Sequence, residues 1–234
     1  MSVYRPTISI IIPVLNEETY IKEVLFAIST NASTDRIKEI LVVDGGSTDQ
    51  TIANALEYKV AVIKSKKGRA AQMNFGATKA TGDLLYFLHV DSLPPKDFDL
   101  AILQEIENGY EVGCFQMQFN SKSNFLKFFS WCTRINHQLC RGGDQSLFIT
   151  SKLFHEINGF NENFIIYEDN EFIQRIYKLK RFKIIASFVT TSARRYEKRG
   201  MVRLQWHFGM IHLKHYLGAQ PSELYEYYLK HVAV

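Results

Sequence analysis

The sequence predicts an α/β fold: a mainly parallel sheet flanked by helices, in a single domain with a C-terminal helical appendage. Three observations carry this. Short segments rich in β-branched and apolar residues alternate with longer amphipathic ones, the pattern of successive βαβ units. One short segment, Leu84-Leu85-Tyr86-Phe87-Leu88, is wholly apolar and runs through His89 and Val90 into Asp91, as a buried strand does when it delivers a carboxylate to its C-terminal edge. With 234 residues and 46% hydrophobic content, the chain is long enough for one full core.

Ile8 to Val14 reads as the first buried strand. The helix after it, Glu17 to Ser29, can be capped by Asn16, and Glu17 and Glu18 suit its dipole. Glu39 to Val43 is the second strand, and the helix Asp49 to Glu57 begins with a capping box of Ser47 and Gln50. A third strand (Val60 to Lys64), a third helix (Arg69 to Ala80) and a fourth strand (Leu84 to His89) follow, with a turn at Pro94-Pro95. The rhythm then changes. A helix Phe98 to Glu107 leads to a strand Val112 to Phe119, an aromatic-rich helix Asn124 to Leu139, a Gly-Gly turn and a helix Asn170 to Lys178. There is no internal repeat and no low-complexity segment.

Composition narrows the function. A net charge of +4 is mild, and the basic residues cluster only at Lys64 to Arg69 and Arg194 to Arg199, which suits a phosphate-bearing ligand and not a nucleic-acid groove. The three cysteines are odd in number and none forms a Cys-x-x-Cys pair, which argues against zinc and a disulfide scaffold and for a reducing, cytoplasmic setting. No signal-peptide pattern is present, and no apolar run approaches the roughly 20 residues that span a bilayer.

Polar residues follow the first, second and fourth strands. Asp91, with His89 two residues earlier on the same side of a strand, can grip a divalent cation that holds a diphosphate. Asp44 leaves the second strand where an acid can accept a hydrogen bond from a base or ribose, whereas Asp49 reads as a cap. Gly68 opens room for close backbone approach at a helix start, and Arg69 adds a forked cation suited to phosphate.

Read in order, Gly68-Arg69-Ala70-Ala71-Gln72-Met73-Asn74, Leu88-His89-Val90-Asp91, Gly143-Asp144-Gln145 and Glu168-Asp169 resemble the motifs of a family 2 glycosyltransferase of GT-A type, in its small single-domain branch. The resemblance runs from about Ile8 to Gly200. It implies a Rossmann-like sheet, a nucleotide-sugar half at 1–95, an acceptor half at 96–200 and a helical segment at 201–234. It implies that Pro13, Asn16, Glu17, Asp44, Gly68, Arg69, Asn74 and Asp91 serve the donor, and that Asp91 holds Mn²⁺ or Mg²⁺. His89 stands where many relatives carry the first Asp of an Asp-x-Asp motif. Gly142 to Gln145 and Asn158-Gly159-Phe160 resemble acceptor-side loops, which places Asp144, Gln145 and Glu168 on that side, with Asp169 as catalytic base. Ser192-Ala193-Arg194-Arg195-Tyr196 resembles the Arg-Trp ending of a motif in processive relatives, with Tyr for Trp; it is expected as a mobile loop that closes on the diphosphate through Arg194 and Arg195.

The implied chemistry is transfer of a sugar from a nucleotide-diphosphate donor, a UDP-sugar first, to an acceptor hydroxyl. The departing diphosphate needs cations, the hydroxyl needs a base, and one in-line displacement inverts the anomeric centre. A nucleotidyltransferase is the rival enzyme, but Pro13 to Glu17 is not the glycine-rich phosphate loop that would favour it. A catalytically silent nucleotide-binding protein is the third reading, and the acids Asp91 and Asp169 argue against it. Arg203 to Leu217 is basic and aromatic, with Leu204, Phe208 and Ile211 on one helical face. It is expected to pack on the domain or on a second subunit of a homodimer; peripheral contact with a membrane, useful for a lipid-linked acceptor, is the alternative.

Overall fold

The computed structural model describes residues 5–179 and 181–233, so the expected domain limits at residues 1 and 234 lie outside the described residues. The first half contains β1 (Ile8–Val14), α1 (Ile21–Asn31), β2 (Ile37–Asp44), α2 (Thr51–Ala55), β3 (Ala61–Lys64), α3 (Arg69–Lys79) and β4 (Leu84–Phe87). Then come β5 (Ser92–Leu93), α4 (Phe98–Glu107), β6 (Val112–Phe119), α5 (Asn124–Cys132), β7 (Leu147–Thr150) and α6 (Ser151–Glu156). The chain continues through α7 (Glu168–Leu179), β8 (Lys183–Thr191), α8 (Arg194–Arg199), α9 (Met201–Tyr216) and α10 (Pro221–His231).

The strands form one sheet in the order β3-β2-β1-β4-β7-β6-β8-β5. β3, β2, β1 and β4 are parallel, as expected. β7 is antiparallel to both β4 and β6, and β6 is parallel to β8. Two reversals restore the original direction, so β6 and β8 end on the same edge as β1 to β4, and β7 begins there. That edge therefore collects the loops after six strands and the loop before a seventh, which is how distant polar segments meet.

Side-chain alternation along the strands builds two core layers. Ile8, Ile10 and Ile12 of β1 pack with α1 and α4, whereas Ile11, Val43, Leu85 and Phe87 pack with α3 and α7. All of β1 is buried, as befits a strand inside a parallel sheet covered on both faces. β3, expected as a buried strand, is an edge strand whose ends, Ala61 and Lys64, are exposed. A third cluster joins Leu126 of α5, Phe164, Tyr196 of α8, Leu204 and Ile211 of α9 and Leu224 of α10. The C-terminal helices are thus packed on the domain, with the Leu204/Ile211 face inward as expected.

Several local expectations are corrected. Asn16 does not cap α1, which starts at Ile21; Asn16 takes a positive φ of 54° and clasps the next loop, accepting from Thr48 N–H at 2.8 Å. Ser47 and Gln50 form no capping box: Ser47 Oγ accepts from Asn16 N–H, and Asp49 accepts from Thr51 N–H. β4 ends at Phe87 and the chain turns at once, with Ser92 N–H donating to His89 C=O. The aromatic helix stops at Cys132, where Thr133 Oγ1 donates to Ser130 C=O and accepts from Met117 N–H of β6. The segment expected as the loop Ser192 to Gly200 is mostly the helix α8.

Candidate active site

A cavity of about 890 Å³ opens on the collecting edge of the sheet. Pro13 and Glu17 enter it after β1, Lys66 to Gln72 before and within α3, and His89 and Asp91 after β4. From the second half come Phe119 at the end of β6, Asp144 ahead of β7, and Arg194 to Tyr196 after β8. The two basic clusters of the sequence thus meet across one opening. α9 and α10 add Phe208, Tyr225 and Tyr228, which the sequence did not announce: tyrosines on a helix carry no signal of what they face.

Arg194 grips the first half of the chain. Its guanidinium forms a fork on Glu17 at 3.0 and 3.1 Å, lies 3.3 Å from Asp91 Oδ2, and stacks over the Tyr20 ring at 4.2 Å. Arg195 donates to Tyr228 Oη at 3.1 Å. Tyr196 is buried edge-on against Phe119 and donates to Gln205, which anchors α8. Gln72, buried, donates to the carbonyls of Val14 and Val43 and ties the ends of β1 and β2 at the cavity floor.

Beneath the other side of the opening lies an acidic cluster. Arg69, expected to reach a phosphate, is turned to it: Nε lies 2.6 Å from Glu168 Oε1, and Nη1 lies 3.5 Å from His89 Nδ1 and 3.9 Å from Asp169 Oδ2. Glu168 is 1% exposed, and apart from this ion pair its oxygens have no hydrogen-bond partner. His89 Nε2 is 3.5 Å from Asp169 Oδ2, and its Nδ1 is 3.9 Å from Asp144 Oδ1. Gly143 makes this closeness possible, because a Cβ there would stand 2.0 Å from Asp169 Oδ2 and 2.5 Å from His89 Cε1. Asp169 opens on a side cavity of about 10 Å³ that shares His89 with the main one.

Burial sets the charges here. It pushes the Asp169 carboxyl up to about 6, with Arg69 pulling down and Asp144 pushing up. It also raises Glu168, against the pull of Arg69. Burial and the Arg69 charge press His89 below the usual imidazole range, so the ring is neutral at pH 7.

The expected site residues divide accordingly. Pro13, Glu17, Gly68, Arg69, His89, Asp91, Asp144, Arg194 and Arg195 line the main cavity. Asn16 does not line it. Asp44, read as a ligand contact, accepts from Ser47 N–H at 2.9 Å and acts as a turn acceptor. Asn74 faces away, donating to Phe160 C=O and Glu162 and accepting from Phe160 N–H, so it clamps α3 to the Asn158-Gly159-Phe160 loop. Gln145 is buried and holds Arg141 and the Cys140 carbonyl. These polar side chains support the walls and do not face the opening.

Asp91 and His89 do not sit as strand neighbours on one face, because the turn begins at His89. Both His89 nitrogens face Arg69 and acids of the inner cluster. Among the described residues no group of three or more His, Cys, Asp and Glu is arranged to hold a metal. A cation that keeps most of its shell from a diphosphate and water needs only one or two carboxylates, and Asp91 on the cavity wall fits that requirement.

The family model of Glycosyl transferase family 2 matches residues 9–189. The chain belongs to this family. An uncharacterized glycosyltransferase of Rickettsia typhi is 32% identical over 179 residues, 68% of this chain and 55% of that protein. The chain spans between 32% and 55% of the length of the first curated relatives it matches. In structure it is similar to S. aureus TarS in complex with UDP, at a TM-score of 0.67 and 20% identity over 80% of this chain and 60% of that one. It is also similar to the mannosyltransferase PcManGT of Pyrobaculum calidifontis in complex with GDP-Man and Mn²⁺, at a TM-score of 0.66 and 20% identity over 97% and 70%. The expected GT-A fold is thereby shown, with a sheet more mixed than expected in its second half.

Proposed function

We propose that this chain transfers a sugar from a nucleotide-diphosphate sugar to an acceptor hydroxyl, with inversion at the anomeric carbon. One arrangement carries the reading: Lys66-Lys67 and Arg194-Arg195 meet over Asp91 at a sheet edge, with a buried acid of raised pKa set deeper. The diphosphate lies among these cations, where Arg194 exchanges Glu17 and Asp91 for phosphate oxygens. Asn16 and Asp44 brace the nucleoside loops. A divalent cation, held by Asp91, would supply charge neutralisation at the leaving oxygen; the similar mannosyltransferase is in complex with GDP-Man and Mn²⁺.

Asp169 is the better base of the inner acids. Glu168 is locked beneath Arg69, whereas Asp169 keeps 14% exposure and a pKa of about 6, close enough to neutrality to accept a proton and be free to do so. The acceptor oxygen attacks the anomeric carbon, the bond to the diphosphate oxygen breaks with its electrons, and the hydroxyl proton passes to Asp169. Residues 1–95 then serve the donor and 96–200 the acceptor, except that Arg194 and Arg195 cross over to the donor. The donor is a UDP-sugar in the first instance.

A panel of UDP-, GDP- and dTDP-sugars, with and without Mn²⁺, tests this by release of nucleoside diphosphate. One base should dominate and metal should stimulate. Folded protein that neither binds nor turns over any member would overturn the reading.

A further inference from the structure

Helix α9 is apolar on both sides, and only one side is accounted for. Leu204 and Ile211 are buried in the C-terminal cluster and Phe208 lines the cavity. The opposite side, with Trp206, Met210 and Leu213, forms an apolar groove of about 460 Å³ against Phe125 and Phe129 of α5. The patch continues along α5, where Phe128 stacks on Trp131. Trp206 is 67% exposed, Phe128 58% and Trp131 54%. Both tryptophans of the chain are therefore more than half exposed, Trp206 in the groove and Trp131 at the end of the α5 patch. An exposed apolar patch rimmed by polar residues marks an interaction site.

The two segments that build this face carry charge of one sign. No Asp or Glu occurs from residue 120 to 143 or from 198 to 222, whereas Lys127 lies on α5, Lys122 and Arg134 flank it, and Arg203 and Lys214 lie on α9. Exposed tryptophans and phenylalanines beside unopposed lysines and arginines match a bilayer interface: the rings enter the headgroup boundary and the cations meet anionic lipid. A second copy of the same face would bring like charges together, which disfavours self-association.

We infer that the α5/α9 face docks on an anionic lipid surface. Phe208 and Trp206 lie on opposite sides of the same helix, so docking would hold the cavity about one helix diameter, roughly 10 Å, from the bilayer. Among the described residues no helix is long and apolar enough to cross a membrane, so the contact is peripheral. Vesicle binding requires no turnover, so this inference stands or falls separately from the sugar-transfer reading.

The full chain should co-sediment with phosphatidylglycerol/phosphatidylcholine vesicles at low salt and far less with phosphatidylcholine alone. The emission of Trp131 and Trp206 should shift to the blue and be quenched by brominated lipid. The pair Phe128→Ser with Trp206→Ser, and separately Lys127→Gln with Lys214→Gln, should each weaken binding at least about tenfold, in line with a loss of about 1 kcal/mol per basic residue, while melting temperature holds. Absent or lipid-independent binding would overturn the inference. So would a dimer in sedimentation equilibrium that dissolves with Phe128→Ser and Trp206→Ser while vesicles remain unbound.

Discussion

Asp169 carries the most specific expectation. Its carboxyl titrates near 6 because it is buried, so it is protonated below that pH and able to accept a proton above it. Transfer at saturating donor should rise with pH through about 6, and Asp169→Asn should lose that limb along with at least about a hundredfold in rate. Donor affinity, measured by calorimetry, should hardly move; a comparable loss of donor binding would assign Asp169 to the wrong half. Asp91→Ala should do the reverse, weakening donor binding and removing any stimulation by Mn²⁺. Retained metal stimulation in that variant would place the cation elsewhere. His89 is legible in the sequence as a possible ligand, but its neighbours are not: Arg69, Asp144 and Asp169 approach it from three other segments, and Gly143 permits the fit only because it lacks a Cβ.

Among the elements, α8 bears on donor entry. Arg194 holds Glu17 and Asp91, contacts for which a donor phosphate would compete on the proposed reading, and Gly200, at φ 82°, separates α8 from α9 with a joint that glycine favours. Amide hydrogen exchange across residues 192–200 should slow when donor nucleotide and metal are added; identical exchange with and without them would mean that α8 is fixed and no lid closes. At the opposite sheet edge, Glu39 of β2 ties β1 to the loop ahead of β4. Its Oε1 accepts from Ser9 Oγ, Thr81 N–H and Thr81 Oγ1 at 2.6 to 2.8 Å. Burial would raise this carboxyl, but the bonds from Thr81 and Ser9 outweigh it and hold it below the usual range. A depressed pKa means the stabilisation is full above the unfolded value, about 4.3, and is lost as pH falls through the folded one. Glu39→Ala should cost about 0.5–1.5 kcal/mol at pH 7, the net worth of ordinary hydrogen bonds, because Thr81 is exposed and water can replace the lost acceptor, and the gap in melting temperature from the native chain should narrow as pH falls below about 4.

For the molecule as a whole, the C-terminal helices are part of the cavity wall and not an appendage to it. Tyr228 Oη accepts from Arg195, and Tyr225 stands beside it on the lining. Tyr228→Phe should leave stability nearly unchanged yet weaken donor binding about fivefold, the worth of one hydrogen bond of about 1 kcal/mol that positions a phosphate-facing arginine. Unchanged affinity would return α10 to a purely structural role. The alternation of strands and helices, the polar residues that end the strands and the two basic clusters were all legible in the chain, because hydrophobic periodicity and strand direction are local properties that each segment carries whatever surrounds it. The family motifs were legible for the same reason. Which polar side chain faces the opening was not. Asn74 and Gln145 sit in those motifs and Asp44 ends a strand, yet all three brace the walls, whereas Tyr228 has no motif and lines the cavity. That choice depends on the double reversal at β7, which returns β8 and its arginines to the edge where β1 and β4 end, and on contacts between residues more than a hundred positions apart, such as Arg194 with Glu17. Such pairings arise from packing of the whole chain, where each side chain takes the partner that the folded backbone brings within reach.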